Sequence, residues 1–285
     1  MTTPAQDGRW VHIAGVAIVA GAGFLAVALS AIEGESPRGS VSAATSNQQT
    51  PAVYLAGLAF DGTPEPLPTP TPSPEPTIPP KASSLAGLRV WSDGDSTSYF
   101  MTVSLFGITG EQGGTAVKAA DYKISSGLQN TVFFDWRGYI ASEMALYDPD
   151  VAVFMVGAND ALQIRSYEDY GARVGAIMDL MYRPGRKVIW MGQPNMRPDP
   201  SQGYSPALAA AIPPLNDVFR AQAATRSWVT FVDTFALTSY SEGSFADALP
   251  DENGVLQPLR AGDGIHFTPA GGRRLALAAV EAILR

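Results

Sequence analysis

Cysteine is absent from the 285 residues, and histidine occurs only twice. The first absence excludes disulfides, thiol catalysis and thiolate metal sites, while leaving both oxidising and reducing compartments open. Charge is sparse as well: 16% of residues are charged, 19 basic against 27 acidic, for a net charge of −8. A chain so poor in Lys and Arg offers no basic face for a phosphate backbone, so nucleic acid is not an expected partner. The scarcity of histidine is sharper still. His12 lies in an N-terminal apolar segment, so any imidazole base in the rest of the chain is His266.

The remaining composition, 46% hydrophobic, is enough for one substantial core. It is unevenly spread. After a short N-terminus, 1–12, expected to be cytoplasmic, residues 13–32 run apolar or small without a charge. About twenty residues at ~1.5 Å each cross a ~30 Å hydrocarbon layer, so the expectation is a transmembrane anchor. Arg9 before it and Glu33 and Glu35 after it favour an inside N-terminus, with the rest of the chain outside the cytoplasm. A cleaved signal peptide is the rival, but the apolar run exceeds the ~7–15 residues usual for one. Residues 33–84 then turn Ser/Gln/Thr-rich and, from Thr63 to Pro80, alternate Pro with Thr, Ser and Glu. Such a tract builds no core and favours extended polyproline II, so it reads as a disordered stalk that supplies reach. The apolar stretch Ala52–Phe60 inside it has no assignment.

Residues 85–285 have the size of one domain. Val151–Val156, Lys187–Met191 and Trp228–Asp233 are short apolar runs, the pattern of strands covered on both faces. Helical segments are expected between them, at Trp136–Tyr147, Tyr167–Tyr182 and Ala207–Arg226, the last broken or restarted at Pro213-Pro214. Thr268-Pro269 is an N-cap followed by Pro at the first helical position, opening a C-terminal helix. Strands alternating with helices imply an α/β domain with a central parallel sheet and helices on both faces. Ligands in such domains bind beyond the carboxyl ends of the strands.

Three short blocks fall where that rule would place chemistry. Leu88–Ser98 reads as a strand that ends in a Gly94-Asp95-Ser96 turn and opens a helix, so that Ser96 faces the free N–H groups of a helix start. A serine needs a base, and the base an orienting group. Asp263-Gly-Ile-His266 supplies a carboxylate three residues before the histidine. Gly157-Ala-Asn159-Asp160 follows the second strand. In order and spacing the three resemble the blocks of the SGNH (GDSL-type) hydrolases, although Thr97 stands where that family's first block carries Leu. The resemblance implies a three-layer, flavodoxin-like fold and a catalytic triad of Ser96, His266 and Asp263. It also implies an oxyanion hole formed by Ser96, Gly127 and Asn159, with no metal or cofactor. The expected activity is hydrolysis of acyl esters, acetyl esters included, of envelope or secreted glycans or lipids. An O-acyltransferase would use the same residues.

Each block alone has a plainer reading, as turn, cap or strand-end chemistry. Their conjunction around the one available imidazole is what favours catalysis. Asp95 and Asp160 are expected to fix loops, and Gln193 and Asn195 either line the cleft or belong to a polar loop. A rival reading takes Asp93-Gly-Asp95-Ser-Thr97 as the nucleophile motif of a Mg²⁺-dependent, haloacid-dehalogenase-like phosphatase, with Lys187 as its downstream lysine. That reading leaves Asn159 and His266 without a role.

Overall fold

The computed structural model describes residues 84–285. The N-terminal tail, the anchor and the linker up to residue 83, with Ala52–Phe60, lie outside the described residues. Among the described residues no helix is long and apolar enough to cross a membrane.

Five parallel strands form the central sheet: β1 (Arg89–Gly94), β2 (Thr115–Ala116), β3 (Val151–Met155), β4 (Lys187–Met191) and β5 (Val229–Val232), in the order β2-β1-β3-β4-β5. This is the flavodoxin-like order, in which the chain winds outward in both directions from a switch point between β1 and β3. The apolar runs do what their continuity requires. Ala152 and Phe154 of β3, with Val188 and Trp190 of β4, face one helical layer; Val151, Val153 and Met155, with Ile189 and Met191, face the other. The first layer holds α2 (Trp136–Tyr147), α3 (Tyr167–Leu180) and α4 (Ser205–Ala224); the second holds α1 (Tyr99–Glu111) and α6 (Pro269–Leu284). Both layers pack buried side chains against the sheet, so it is covered on each side. A short helix, α5 (Thr234–Leu237), and an antiparallel hairpin, β6 (Ala248–Pro250) with β7 (Leu256–Pro258), intervene before α6.

One expectation is corrected. Pro213 and Pro214 do not break α4, which runs unbroken for 20 residues. Ile212, Leu215 and Phe219 along its buried side pack into the core beneath it. Burial of those side chains, each worth about 1.5–3 kcal/mol, outweighs the hydrogen bonds that the two prolines forgo. The start of α6 follows the reading of its sequence: the Thr268 hydroxyl accepts from the Gly271 N–H, and Pro269 opens the helix.

Candidate active site

At the carboxyl end of β1 the chain has almost no room. A Cβ on Gly94 would lie 1.9 Å from the carbonyl oxygen of Met155, its partner across the β1–β3 pairing, so only glycine lets the two strand ends approach there. Asp95 follows and is wholly buried. One of its carboxylate oxygens accepts from the N–H and the hydroxyl of Thr97, at 2.9 and 2.6 Å; the other accepts from the N–H groups of Gly157 and Ala158, at 2.9 and 3.2 Å. Burial pushes this carboxyl above its ordinary range, and those hydrogen bonds oppose the rise. Asp95 therefore caps a turn of 3₁₀ helix, Ser96–Ser98, and ties the first block to the Gly157–Asp160 block across the switch point. Ser96 opens that turn, and α1 starts three residues later.

Asp160 does the equivalent work for the loop after β2. Its carboxylate accepts from the N–H groups of Leu128 and Gln129, at 2.7 and 2.9 Å, and from the Tyr170 hydroxyl at 2.8 Å. A Cβ on Gly127 would meet one of these oxygens at 2.2 Å, so the loop can sit against Asp160 only with glycine at that position. Asn159 closes the same junction from the other side, its side-chain amide donating to the Ser126 carbonyl at 2.9 Å. Among the described residues the N–H group of Gly127 bonds no backbone acceptor, and Ser96 adjoins the isolated parallel bridge between Asp95 and Lys123. Buried junctions hold Asn159 and Gly127 together and Ser96 beside the Gly157–Asp160 block.

The last block reaches this rim as a built turn. Asp263 accepts from the N–H groups of Ile265 and His266 through one oxygen, at 2.8 and 3.0 Å, and from Nδ1 of His266 through the other, at 2.6 Å. Nε2 of the same ring lies 2.9 Å from Oγ of Ser96. Because a carboxylate can only accept, Nδ1 carries the proton and Nε2 is left as the acceptor for the serine hydroxyl. Burial alone would raise the Asp263 carboxyl, but the ring and backbone donors overcome it and hold the group well below the ordinary carboxylate range. Hydrogen bonding to Asp263 raises the imidazole of His266, while its partial burial and the Arg260 charge work in the opposite direction.

The residues of the phosphatase reading are placed otherwise. Asp93 is wholly buried and bonded to Lys118 at 2.7 Å, and Asp95 is committed to four backbone and side-chain donors. Lys187 begins β4, at the opposite end of the sheet from Ser96, and donates to the Ile283 carbonyl. Gln193 and Asn195 are both buried rather than lining a cleft; Asn195 donates to the Ser239 hydroxyl and the Gly243 carbonyl. What sequence reading did not single out is Arg260. It is buried three residues before Asp263 and donates to the carbonyls of Ile265 and Asn195. An arginine between Leu259 and Ala261 carries no signal of its own, and only the packing of the 261–266 turn reveals it.

Solved structures with this fold include a lipase/acylhydrolase from Enterococcus faecalis, 17% identical, with a TM-score of 0.52, covering 69% of this chain and 95% of that one. They also include an acetylxylan esterase from Geobacillus stearothermophilus, solved as a catalytic mutant, 16% identical, with a TM-score of 0.50, covering 70% and 94%. The likeness to these structures is one of fold. No curated protein matches the sequence. Residues 89–282, more than half of the chain, match the family described as "Protein of unknown function (DUF459)", and the chain belongs to that family.

Proposed function

We propose that this chain is a serine hydrolase of carboxylic esters, and the observation that carries the proposal is the continuous relay Ser96 Oγ, His266, Asp263 at the carboxyl rim of the sheet. Nε2 of His266 takes the hydroxyl proton as Ser96 Oγ forms a bond to the ester carbonyl carbon, and Asp263 stabilises the imidazolium. The N–H groups of Ser96 and Gly127 and the Asn159 amide hold the tetrahedral oxyanion. Such donors are each worth about 10²–10³-fold in rate. Collapse expels the alcohol, which leaves with the proton from His266. Water, deprotonated by the same imidazole, then releases the acid and restores the serine.

The substrate class we infer is a short acyl ester, acetyl included, on a glycan or lipid of the cell envelope. One expectation and one observation support it. The expected anchor and stalk would hold the domain outside the cytoplasm within reach of such material. The exposed rings of Tyr99 and Tyr122 meet at a tilt of 54°, centroids 4.9 Å apart, with Tyr99 one turn after Ser96 and Tyr122 next to Lys123, whose N–H donates to the Gly94 carbonyl. Rings of that kind offer a flat, half-apolar surface to a sugar or an acyl chain.

The test is a fluorophosphonate label on the full chain, with peptide mapping. Ser96 should be the modified residue, and S96A and H266A should each lose both labelling and hydrolysis of p-nitrophenyl acetate. Normal turnover in H266A would overturn the assignment.

A further inference from the structure

Arg260 is 6% exposed, yet among the described residues no carboxylate bonds its guanidinium. Instead Nη1 donates to the Ile265 carbonyl at 2.9 Å and Nη2 to the Asn195 carbonyl at 2.5 Å, while Nε has no partner among the described residues. The guanidinium stacks on the Phe267 ring, 4.0 Å from its centroid, and lies 5.8 Å from that of Phe245. Ile265 and Phe267 are the residues on either side of His266, so a single side chain grips the backbone before the imidazole and the ring after it. A buried cation with no carboxylate bonded to it is costly, and ordinary packing does not require one; methionine would fill a similar volume.

The charged groups around the imidazole explain what such a cation does. His266 is faced by Asp263 from its own loop, by Asp95 from the turn after β1, and by Arg260. Arg260 in turn is faced by Asp263 and by Asp247. Asp247 is paired to Arg197, which lies over the same Phe245 ring and donates to the Gly262 carbonyl. Two carboxylates favour imidazolium, the form that cannot accept the serine proton. One buried cation opposes them. Burial pushes the guanidinium down to about 9, so it stays charged at neutral pH.

We propose that Arg260 is a positioning residue for the reaction, clamping the histidine turn through Ile265, Asn195 and Phe267 and setting a compensating positive charge behind His266. It touches neither the substrate nor the reacting atoms. The proposal rests on the hydrolase reading for its kinetic part but not for its electrostatic part, and the experiment separates the two.

The imidazole signals of the full chain in detergent are titrated by NMR; only His12 and His266 contribute, and His12→Gln assigns them. Removing the charge in Arg260→Met should raise the His266 midpoint by about one pH unit, the scale of a nearby charge. The acid limb of kcat/KM for p-nitrophenyl acetate should move with it. Arg260→Lys keeps the charge and loses the fork. Its midpoint should stay in place, kcat should fall at least tenfold with KM unchanged, and the downfield signal of the Nδ1 proton bonded to Asp263 should broaden. An unmoved midpoint in Arg260→Met overturns the electrostatic role. Should that variant fail to fold, Arg260→Lys still decides, since wild-type kcat and an unchanged Nδ1 signal would overturn the clamp. Failure of the hydrolase reading looks different: the unaltered chain would resist the fluorophosphonate while the NMR shifts remained.

Discussion

Asp263→Asn is the substitution whose consequence the geometry defines most narrowly. The oxygen that accepts from the N–H groups of Ile265 and His266 is retained in asparagine, so the turn that presents the imidazole should survive. The other oxygen becomes an amide nitrogen, a donor placed 2.6 Å from Nδ1. Two donors cannot share that contact, so the ring must give up its Nδ1 proton and carry it on Nε2 instead. Nε2 faces Ser96 Oγ, and a protonated nitrogen there cannot accept the hydroxyl proton. The loss expected for such a locked wrong tautomer is about 10⁴-fold in kcat. At 1.36 kcal/mol per decade that is about 5.5 kcal/mol of lost transition-state stabilisation. The assay is kcat for p-nitrophenyl acetate beside thermal unfolding of the same preparation. Unfolding should be little changed, because the backbone donors keep their acceptor. Activity within tenfold of the unaltered chain would refute the tautomer argument, and with it the role given to Asp263.

Gly127→Ala places a methyl group 2.2 Å from an Asp160 oxygen, so the loop or the carboxylate must move; displaced oxyanion donors should lower kcat by about 10²–10³-fold with KM little altered, and wild-type kcat would remove Gly127 from the hole. Lys118→Met leaves Asp93 and Glu143, bonded to Nζ at 2.7 and 2.9 Å, without a counter-charge in a site where the lysine side chain is only 9% exposed. Denaturant unfolding should register a loss of about 3–5 kcal/mol. The pH dependence has a definite sign. Because hydrogen bonding to Asp263 raises the imidazole, kcat/KM should climb with pH through a midpoint above that of ordinary histidine. The stability contributed by that raised group runs the other way, full below the unfolded midpoint and lost as pH rises through the folded one. A profile flat across the histidine range would contradict His266 as base.

The layers of the fold were legible in the sequence because the signal for them is local. Val151–Val156 and Lys187–Met191 are apolar without alternation, and only a strand covered on both faces tolerates that. The strand order is less local, yet Asp95 shows what fixes the part that matters: one buried carboxylate, four residues past Trp91, accepts from Gly157 and Ala158 and so locks β1 beside β3. The sequence marks Asp95 as a polar residue in a turn and says nothing of the chain that comes to meet it. The same holds for Gly127, whose glycine is demanded by Asp160, 33 positions later, rather than by any feature of its own Ser-rich loop. Pro213-Pro214 fails in the opposite direction. There the local rule is correct as chemistry, but the burial of Ile212, Leu215 and Phe219 overrides it. Arg260 is the extreme case, since its burial exists only once the 261–266 turn has folded over it. Blocks that act through their own atoms could be read as blocks; side chains that hold another segment could at most be read as fixing loops, as Asp95 and Asp160 are, and the segment each one holds became visible only in the fold. The supports of this site, Asp95, Asp160 and Arg260, all belong to the second kind, so mutation of the three should report on the assembly of the rim, whereas mutation of Ser96, His266 and Asp263 reports on its chemistry.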